Sequence, residues 1–496
     1  MVRKTGLEPV RRNPHAPQTC ASASSATLAQ MLYNYSNEFP KSQYLILKNR
    51  LEIIKFFWYD SVIQQQMEFN YVKVAFYTLG CKVNQYDTQV MRDLMEADGY
   101  QTVPFEEEAD VYIINTCTVT QISDKKSRQM VSRAKRNHPN SIIVICGCFA
   151  QVAPHVAGDL EGVDIVLGTS NRTDILKYIN EVRTSGRQII AVDNCGALDK
   201  EEIRSFGEKN RAVLKIEDGC ENYCSYCLIP YARGKIRSKP LEIIRKETKT
   251  LVKAGFLEIV LTGIHLASYG KENGSPCLES AIREVADITG VERIRLGSLE
   301  PRIITPDFIE AIRPIKALCP HFHLSLQSGC DKTLKAMNRH YTAAEYESAV
   351  NLLRETFPNC AITTDIIVGF PGETEEDFQE SLLFAERIGF AKIHIFPYSK
   401  REGTRAARMD GQLSKAIKAE RVNRMEEIEK KTRLAFWKNM IGTVQSVLPE
   451  EEKDGELHGF TTNYCPVRWK GQLENKPISV EIINFDENGL IATKKD

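Results

Sequence analysis

The chain reads as an α/β protein of three modules: an amino-terminal parallel-sheet α/β domain, a partial (β/α)6 barrel and a small C-terminal antiparallel β-barrel. Three observations predict this. From residue 73, apolar β-rich runs alternate with helix-patterned segments, and strand then helix, repeated, makes a parallel sheet with crossover helices. The alternation resumes with six strand candidates between 213 and 398. From residue 441 it gives way to short strands separated by Gly and Asn turns, the pattern of a small barrel.

Residues 1–66 stand apart as a non-native or disordered extension. Residues 1–29 are rich in Pro, Ser and Ala without an apolar period. Met67, just before the first strand, is the expected start; the competing reading is a genuine extension with a partner helix at 45–57. Lys plus Arg and Asp plus Glu both number 65, so bulk charge announces no nucleic-acid partner. No apolar run approaches the roughly 18 residues of a membrane span, and no export signal is visible, which together imply a cytoplasmic protein without a membrane partner. Fourteen cysteines in such a chain favour metal or redox use over disulfides.

The first domain is expected over 71–183, with strands at 72–79, 110–115 and 141–145 and helices at 85–97 and 123–137. A cysteine follows each strand: Gly80-Cys81, Thr116-Cys117 and Gly147-Cys148. Ligands of open α/β sheets bind beyond the carboxyl ends of the strands, so Cys81, Cys117 and Cys148 are candidate ligands of a metal cluster. The bland alternative is three unrelated buried cysteines. Cys146, two residues before Cys148, reads as core.

Over 206–435, strands are expected at 213–217, 258–261, 293–296, 323–326, 362–368 and 392–396. After the first comes Asp218-Gly219-Cys220-Glu221-Asn222-Tyr223-Cys224-Ser225-Tyr226-Cys227. Its C-x3-C-x2-C spacing offers three thiolates from one loop, whereas Fe–S clusters normally take four. A [4Fe–4S] cluster held by Cys220, Cys224 and Cys227 therefore keeps one open iron, which can take S-adenosylmethionine (SAM) and reduce its sulfonium. A zinc knuckle completed by a distant ligand is the alternative. By analogy with complete barrels, the site lies at the C-terminal strand ends, which makes Tyr226, Thr262, Gly263, Ser298, Glu300, Gln327 and Asp365 cofactor-binding candidates. His321, His323 and His340 read as structural.

Residues 415–438 alternate in charge sign and read as a helix with a solvated face. Five strands are then expected within 437–496, at 443–448, 457–461, 465–469, 478–483 and 490–493. Phe460, Tyr464, Arg468, Trp469 and Lys470 are a candidate RNA surface. The segment 442–496 nevertheless carries six Lys/Arg against ten Asp/Glu, so RNA binding needs help from basic loops at 125–136, 233–239 and 400–408, including Arg233, Lys400 and Arg401.

Several stretches carry a family resemblance. They are Thr78-Leu79-Gly80-Cys81-Lys82-Val83-Asn84-Gln85-Tyr86, Asn115-Thr116-Cys117-Thr118-Val119, Gly147-Cys148-Phe149-Ala150-Gln151 and Cys227-Leu228-Ile229-Pro230-Tyr231-Ala232-Arg233-Gly234. To these are added Leu324-Ser325-Leu326-Gln327-Ser328-Gly329 and Phe396-Pro397-Tyr398-Ser399-Lys400-Arg401-Glu402-Gly403-Thr404. From about residue 72 to the C-terminus the chain resembles radical-SAM methylthiotransferases, whose terminal module is a TRAM domain. Lys82-Val83-Asn84 and Tyr231-Ala232-Arg233 are most similar to the subgroup acting on tRNA N6-threonylcarbamoyladenosine next to the anticodon. The resemblance implies two [4Fe–4S] clusters and SAM, a tRNA substrate, an external electron donor and a sulfur source. It implies that the Cys220/Cys224/Cys227 cluster generates a radical from SAM and that the Cys81/Cys117/Cys148 cluster delivers the methylthio group, with no side-chain acid–base pair. Sister enzymes modify N6-isopentenyladenosine in tRNA or an aspartate of a ribosomal protein, and these stay open as alternatives. From another class, so does an iron–sulfur electron-transfer protein. Cys146 and residues 1–66 depart from the family pattern.

Overall fold

A computed structural model describes residues 72–495 apart from 119–120, 197, 199–201, 208–209, 273 and 275–276. The expectations placed on residues 1–66, Met67 included, lie outside the described residues.

Six parallel strands form the first sheet: β1 (Lys73–Thr78), β2 (Gln101–Val103), β3 (Val111–Thr116), β4 (Ile142–Gly147), β5 (Ile165–Leu167) and β6 (Ile189–Ala191), in the order β2-β1-β3-β4-β5-β6. β3 is buried along its whole length and β4 along nearly all of it. This is why both read as unbroken apolar runs: parallel strands are covered on both faces. β2, β5 and β6 are three residues each, too short to show a period, and the sequence reading missed them. Helices α1 (Lys82–Ala97), α2 (Gln121–Asn137) and α3 (Cys148–Val152) leave the ends of β1, β3 and β4. The register pairs Thr78 with Asn115 and Thr116 with Gly147, so those three ends are level.

The second module begins with β7 (Arg211–Lys215) and a two-strand ribbon, β8 (Glu217–Asp218) and β9 (Arg237–Ser238), with helix α4 (Ile229–Arg233) between its strands. β10 (Glu258–Thr262), β11 (Arg293–Leu296), β12 (His321–His323), β13 (Ala361–Val368) and β14 (Lys392–Pro397) follow. They pair in parallel as β7-β10-β11 and β12-β13-β14, and single bridges at Ile294–Leu318 and Leu299–Leu324 span the gap. The result is the expected six-strand partial barrel. β12 sits two residues earlier than the sequence reading placed it. Beyond His323 the Thr364 hydroxyl accepts from Leu326 N and donates to Leu324 O, so a side chain interrupts the backbone ladder, which continues at Leu324 N and Gln327 N.

Two helices behind the arc, α5 (Ala343–Thr356) and α6 (Glu375–Ile388), start with reciprocal capping boxes at Thr342/Glu345 and Thr374/Asp377. Alternate strand positions set the two faces of the arc. Ile259, Leu261, Ile294, Leu296, Phe322 and Ile362 join the apolar core. Arg295, Glu258, His321 and Thr363, on the opposite face, are buried polar groups.

Helix α7 (Lys415–Lys438) leads into the terminal barrel. It is not solvated all round: Arg421, Met425, Glu429, Thr432 and Trp437 form a buried face. The barrel strands are β15 (Val444–Lys453), β16 (Glu456–Thr461), β17 (Pro466–Trp469), β18 (Ile478–Phe485) and β19 (Leu490–Lys494), closed in the order β15-β16-β17-β19-β18. Four seams are antiparallel as expected. The β17/β19 seam is parallel, because β19 turns back from β18 and so runs in the direction of β17. Closure leaves no exposed sheet edge.

Trp469 overturns its assignment to an RNA surface. β17 alternates, with Val467 and Trp469 inside and Arg468 outside. Trp469 is 1% exposed and packs with Val447, Leu457, Ile482, Leu490 and the α7 residue Trp437. Trp469→Ala is expected to cost about 3–5 kcal/mol, as large-to-small core changes do. Arg468→Ala, at a surface ion pair, should cost no more than about 1 kcal/mol. Denaturation curves of the two variants test this, and equal costs would contradict the packing.

Candidate functional site

The level ends of β1, β3 and β4 gather the first three cysteines. Cys81 is the N-cap of α1, Cys117 follows β3 directly, and Cys148 opens α3. The turns that deliver them are tight. Gly80 has φ +110°, and a Cβ there would lie 2.9 Å from the Cys117 Cβ; Gly147 has φ +90°, and a Cβ would meet Asn115 Oδ1 at 2.3 Å. Only glycine fits both positions. Asn84 Nδ2 donates to Leu79 O (2.7 Å) and Thr116 O (2.9 Å), which ties the first two turns together. Cys148 Sγ lies 4.0 Å from Asn84 Oδ1 and accepts from Arg233 Nε at 3.4 Å. Burial pushes the Cys148 thiol up, and the Arg233 guanidinium opposes it. Cys146 is core, as the sequence suggested: 1% exposed, beside Met91, its thiol pushed up to about 12 by burial.

Arg233 is therefore no RNA contact. It is fully buried, and its guanidinium reaches Asp87 (2.7 Å), Asp218 (3.1 Å) and Asn84 Oδ1 (2.6 Å). Lys215 joins the same two acids at 2.7 and 3.4 Å, and Arg172 lies 3.4 Å from Asp87. Burial alone would raise the Asp87 carboxyl, but Arg172, Arg233 and Lys215 hold it well below the usual range. A second buried set locks the next residue along: Tyr86 OH donates to Glu247 (2.6 Å) and accepts from Lys239 (2.7 Å). Through Asn84, Tyr86 and Asp87, α1 fastens the sheet to the half barrel.

Cys220, Cys224 and Cys227 sit on a loop just beyond β8. A Cβ on Gly219 would come within 2.0 Å of Lys235 O, and Tyr223 has φ +45°. The loop hangs from residues 336–339. Ser225 N donates to Met337 O, Ser225 Oγ to Ala336 O, and Asn338 Nδ2 to the carbonyls of Asn222 and Tyr223. Burial pushes the Cys227 thiol up to about 12 and the Cys220 thiol up to about 11. The sulfurs nevertheless receive donors: Arg339 to Cys224 Sγ (3.3 Å) and Ile229 N to Cys227 Sγ (3.4 Å). Partly buried thiols with a guanidinium and a backbone N–H aimed at them suit an anionic metal–thiolate cluster. Both cysteine groups pass that test, since Arg233 plays the same part for Cys148.

A cavity of about 650 Å³ opens beside the first group, bounded by Cys81, Lys82, Thr262, Gly263, Ser298 and Asp365 among others. Four SAM candidates thus share one space. Three do not belong to its wall. The Tyr226 ring packs edge-on to Phe370 (6.4 Å between centroids) beside an apolar cluster of Met337, Tyr398 and Ala406. Glu300 is buried against Arg302 (2.9 Å) and His265 (3.2 Å); these partners outweigh burial and bring its carboxyl down to about 2. Gln327, with φ +71°, pairs through its backbone with β13. The sequence reading missed Glu217, whose carboxyl is raised well above its usual value by burial and whose Oε2 would lie 2.4 Å from a Cβ on Gly263. It also missed the side-chain role of Lys82, although Lys82-Val83-Asn84 was already a marker. Burial, with Arg295 and Arg211 nearby, lowers the Lys82 ammonium to about 8. His323 and His394 stand beside Asp365, and one ligand atom from each of the three lies within 4.8 Å of the others.

The other RNA candidates fare unevenly. Phe460 stacks on Tyr464 (4.7 Å) with Arg211 over both rings, against the half barrel. Arg468 is engaged by Glu456 (3.1 Å) and Asp486 (2.8 Å). Arg401 is 7% exposed and bonds Asp124 and Thr118, both at 2.7 Å. Lys400 is exposed. It borders a groove of about 1080 Å³ with Lys125, Arg128, Tyr231 and Arg408, where two of the three expected basic loops meet. Tyr231 (61% exposed) and Tyr223 (52%) form an edge-to-face pair at 6.0 Å, an aromatic platform the sequence reading missed.

An α/β domain and a partial barrel, each carrying three convergent thiols, define a two-cluster radical-SAM protein. Residues 73–168 match a family described as uncharacterized protein family UPF0004, and residues 214–385 match the radical SAM superfamily. The threonylcarbamoyladenosine tRNA methylthiotransferase of Bacillus subtilis is 40% identical over 438 residues, 85% of this chain and 97% of that protein. Its Thermotoga maritima counterpart is 38% identical over 422 residues, 84% and 96% of the two chains. The tRNA-2-methylthio-N(6)-dimethylallyladenosine synthase of Clostridium tetani is 36% identical over 423 residues, 82% and 92%. This chain belongs to the radical-SAM methylthiotransferase family, and its cofactors are SAM and [4Fe–4S] clusters. No helix among the described residues is long and apolar enough to cross a membrane.

The buried network has a pH signature. Asp87 titrates lower in the folded chain than unfolded. The stability it contributes is thus complete above about pH 4, the unfolded carboxylate value, and is lost as pH falls below that. Asp87→Asn should cost about 3–5 kcal/mol at neutral pH by leaving buried cations short of a partner, and should flatten the loss of stability in acid. Urea denaturation at a series of pH values checks both. Parallel acid limbs for the two proteins would rule out the linkage.

Proposed function

We propose that this chain converts N6-threonylcarbamoyladenosine in tRNA to its 2-methylthio derivative. The observation that carries this is that one buried network fixes two three-cysteine groups relative to each other, in a chain about 40% identical to threonylcarbamoyladenosine methylthiotransferases over most of its length. Cys220, Cys224 and Cys227 hold the SAM-binding [4Fe–4S] cluster, and Cys81, Cys117 and Cys148 hold the other. Bound there, the first supplies reductive cleavage of SAM and the second carries the sulfur to be transferred.

The residues of the chain serve that chemistry by placement. Arg339 and Arg233 neutralise thiolate charge at Cys224 and Cys148, and Asn84 fixes the turns around Cys81 and Cys117. Two groups that must meet at one carbon need a frame rigid to a fraction of an ångström, which the Asp87–Arg233–Asp218 set provides. Thr262, Gly263, Ser298 and Asp365 line the space beside Cys81 where cofactor and nucleoside meet. The tRNA is held by Lys125, Arg128, Lys400 and Arg408 through phosphates, and by Tyr223 and Tyr231 through stacking on unpaired bases. Lys82, His321 and Asp365 in the cavity wall favour a polar N6 substituent such as threonylcarbamoyl over an isopentenyl tail, which offers them no hydrogen bond. Electrons and sulfur come from an external donor and a sulfur source, and the enzyme works in the cytoplasm.

Nucleoside analysis of bulk tRNA from a deletion strain tests the substrate. The 2-methylthio form of N6-threonylcarbamoyladenosine should vanish while its precursor stays; its persistence, or loss of the isopentenyl counterpart instead, would overturn the reading. Iron content tests the two sites separately. Cys224→Ala should abolish SAM cleavage and leave about half the iron of the wild type, since each cluster takes its own three thiols. Cys117→Ala should also halve the iron but retain SAM cleavage without product. Full methylthiolation by that variant would refute the role of the Cys81 group.

A further inference from the structure

The first residue of α1 is one that helix stability does not explain. Lys82 follows the N-cap Cys81, where a cation opposes the helix dipole. Its side chain lines the 650 Å³ cavity inside the half barrel, in a space already crowded with positive charge. Arg295 and Arg211 stand near it, but each has an acid of its own, Glu258 at 2.7 Å and Glu450 at 2.6 Å. Among the described residues, no ion pair or hydrogen bond engages Lys82. A partly buried cation without a partner in that position calls for an anion.

A second group in the same wall points the same way. His321 is 5% exposed, and its Nδ1 has no hydrogen-bond partner. Its Nε2 lies 3.2 Å from Thr363 Oγ1, and that hydroxyl is also 3.0 Å from His323 Nδ1. When Thr363 donates to His321 and accepts from His323, the His321 Nδ1 carries a hydrogen with nothing to receive it. Leaving such a group buried and unpaired costs about 1–3 kcal/mol. In that arrangement an ammonium and an N–H donor, both without partners in one cavity, form a receptor for a carboxylate. The cavity volume falls in the range of sites that enclose one small ligand, about 300–1,000 Å³.

We propose that Lys82 and His321 bind the carboxylate of the threonyl group of N6-threonylcarbamoyladenosine. This contact selects that nucleoside over those with neutral N6 substituents. It rests on the function proposed above and supplies the specificity that function needs. A site built to pair a charged group rejects an analogue lacking it far more strongly than an apolar pocket rejects one methylene. Adjacent residues of one helix turn thereby serve both ends of the reaction, Cys81 holding the sulfur-donating cluster and Lys82 the substrate.

Anticodon stem-loop RNAs carrying the nucleoside either as the free carboxylate or as its methyl ester provide the test. The wild type should prefer the carboxylate by roughly tenfold to a hundredfold in kcat/KM, as expected for one charge-assisted bond. Lys82→Met should erase most of that preference by lowering kcat/KM for the carboxylate alone, and Lys82→Arg should restore part of it. Equal treatment of acid and ester by the wild type would overturn the proposal. So would an equal loss on both RNAs in Lys82→Met. A raised KM for SAM, or less iron per chain, would move Lys82 to the SAM carboxylate or the cluster and overturn it as well. A wild type that modifies only isopentenyladenosine RNA would instead sink the functional reading beneath it, a different and recognisable failure.

Discussion

One guanidinium holds the molecule's two halves in register. Arg233 is buried between Asp87 on α1, Asp218 on β8, the Asn84 amide and the Cys148 sulfur. A cation so far from water survives only because two carboxylates face it, and breaking such a set costs more than forming it gains. The arrangement is therefore a poor source of net stability and a strong source of specificity in position. Any sliding of the sheet against the half barrel would strand Arg233, Lys215 or one of the acids. The distance between the two cysteine groups inherits that rigidity, and a transfer that brings two reactive groups to one carbon depends on it.

The half barrel reverses the usual economy of a small barrel interior. Its apolar side faces the helices, and its concave face carries Arg293, Arg295, Glu258, His321 and Thr363. The terminal barrel makes this tolerable. Arg293 donates to Phe460 O, Arg295 donates to Thr462 O, and Arg211 lies over the Phe460 and Tyr464 rings while pairing with Glu450. Aromatic residues that resemble an RNA platform are thus consumed against the half barrel, with Tyr464 in the cavity wall. One acid of that module, Glu450, is spent on the half barrel in this way.

What could be read from the sequence divides along physical lines. Strands β3 and β4 were legible because burial on both faces leaves long apolar runs, and β1, β10, β11 and β13 because β-rich segments recur between helix-patterned ones. The three strand-end cysteines were legible because parallel topology fixes which ends are level. The three-residue strands were not, having no length for a period. Arg233 was misread because a local basic run looks the same whether solvated or buried, and its partner Asp87 is 146 residues away. Trp469 was misread because a closed barrel gives one strand face an interior that composition does not reveal. The packing of the Tyr226 ring was hidden for a similar reason: proximity in sequence to two cluster cysteines does not say which way a ring turns, and this one turns toward Phe370.

A chain with no net charge can still hold a polyanion, provided its cations are few, fixed and close. Surface charges act over about 8–10 Å at physiological salt, so only a local patch matters. Arg401 gives up its own exposure to bond Asp124 and Thr118, and in doing so pins the 400–408 loop against α2, which leaves Lys400, Lys125 and Arg128 around one groove. Helix α4 links that groove to the chemistry. Within five residues it turns Tyr231 outward beside Tyr223 and Arg233 inward onto Cys148. The surface that would grip an unpaired base and the cation that steadies a thiol are thus two faces of one turn of helix. Neither can shift without the other, and under the proposed function this would make docking of the RNA and alignment of the sulfur a single structural event.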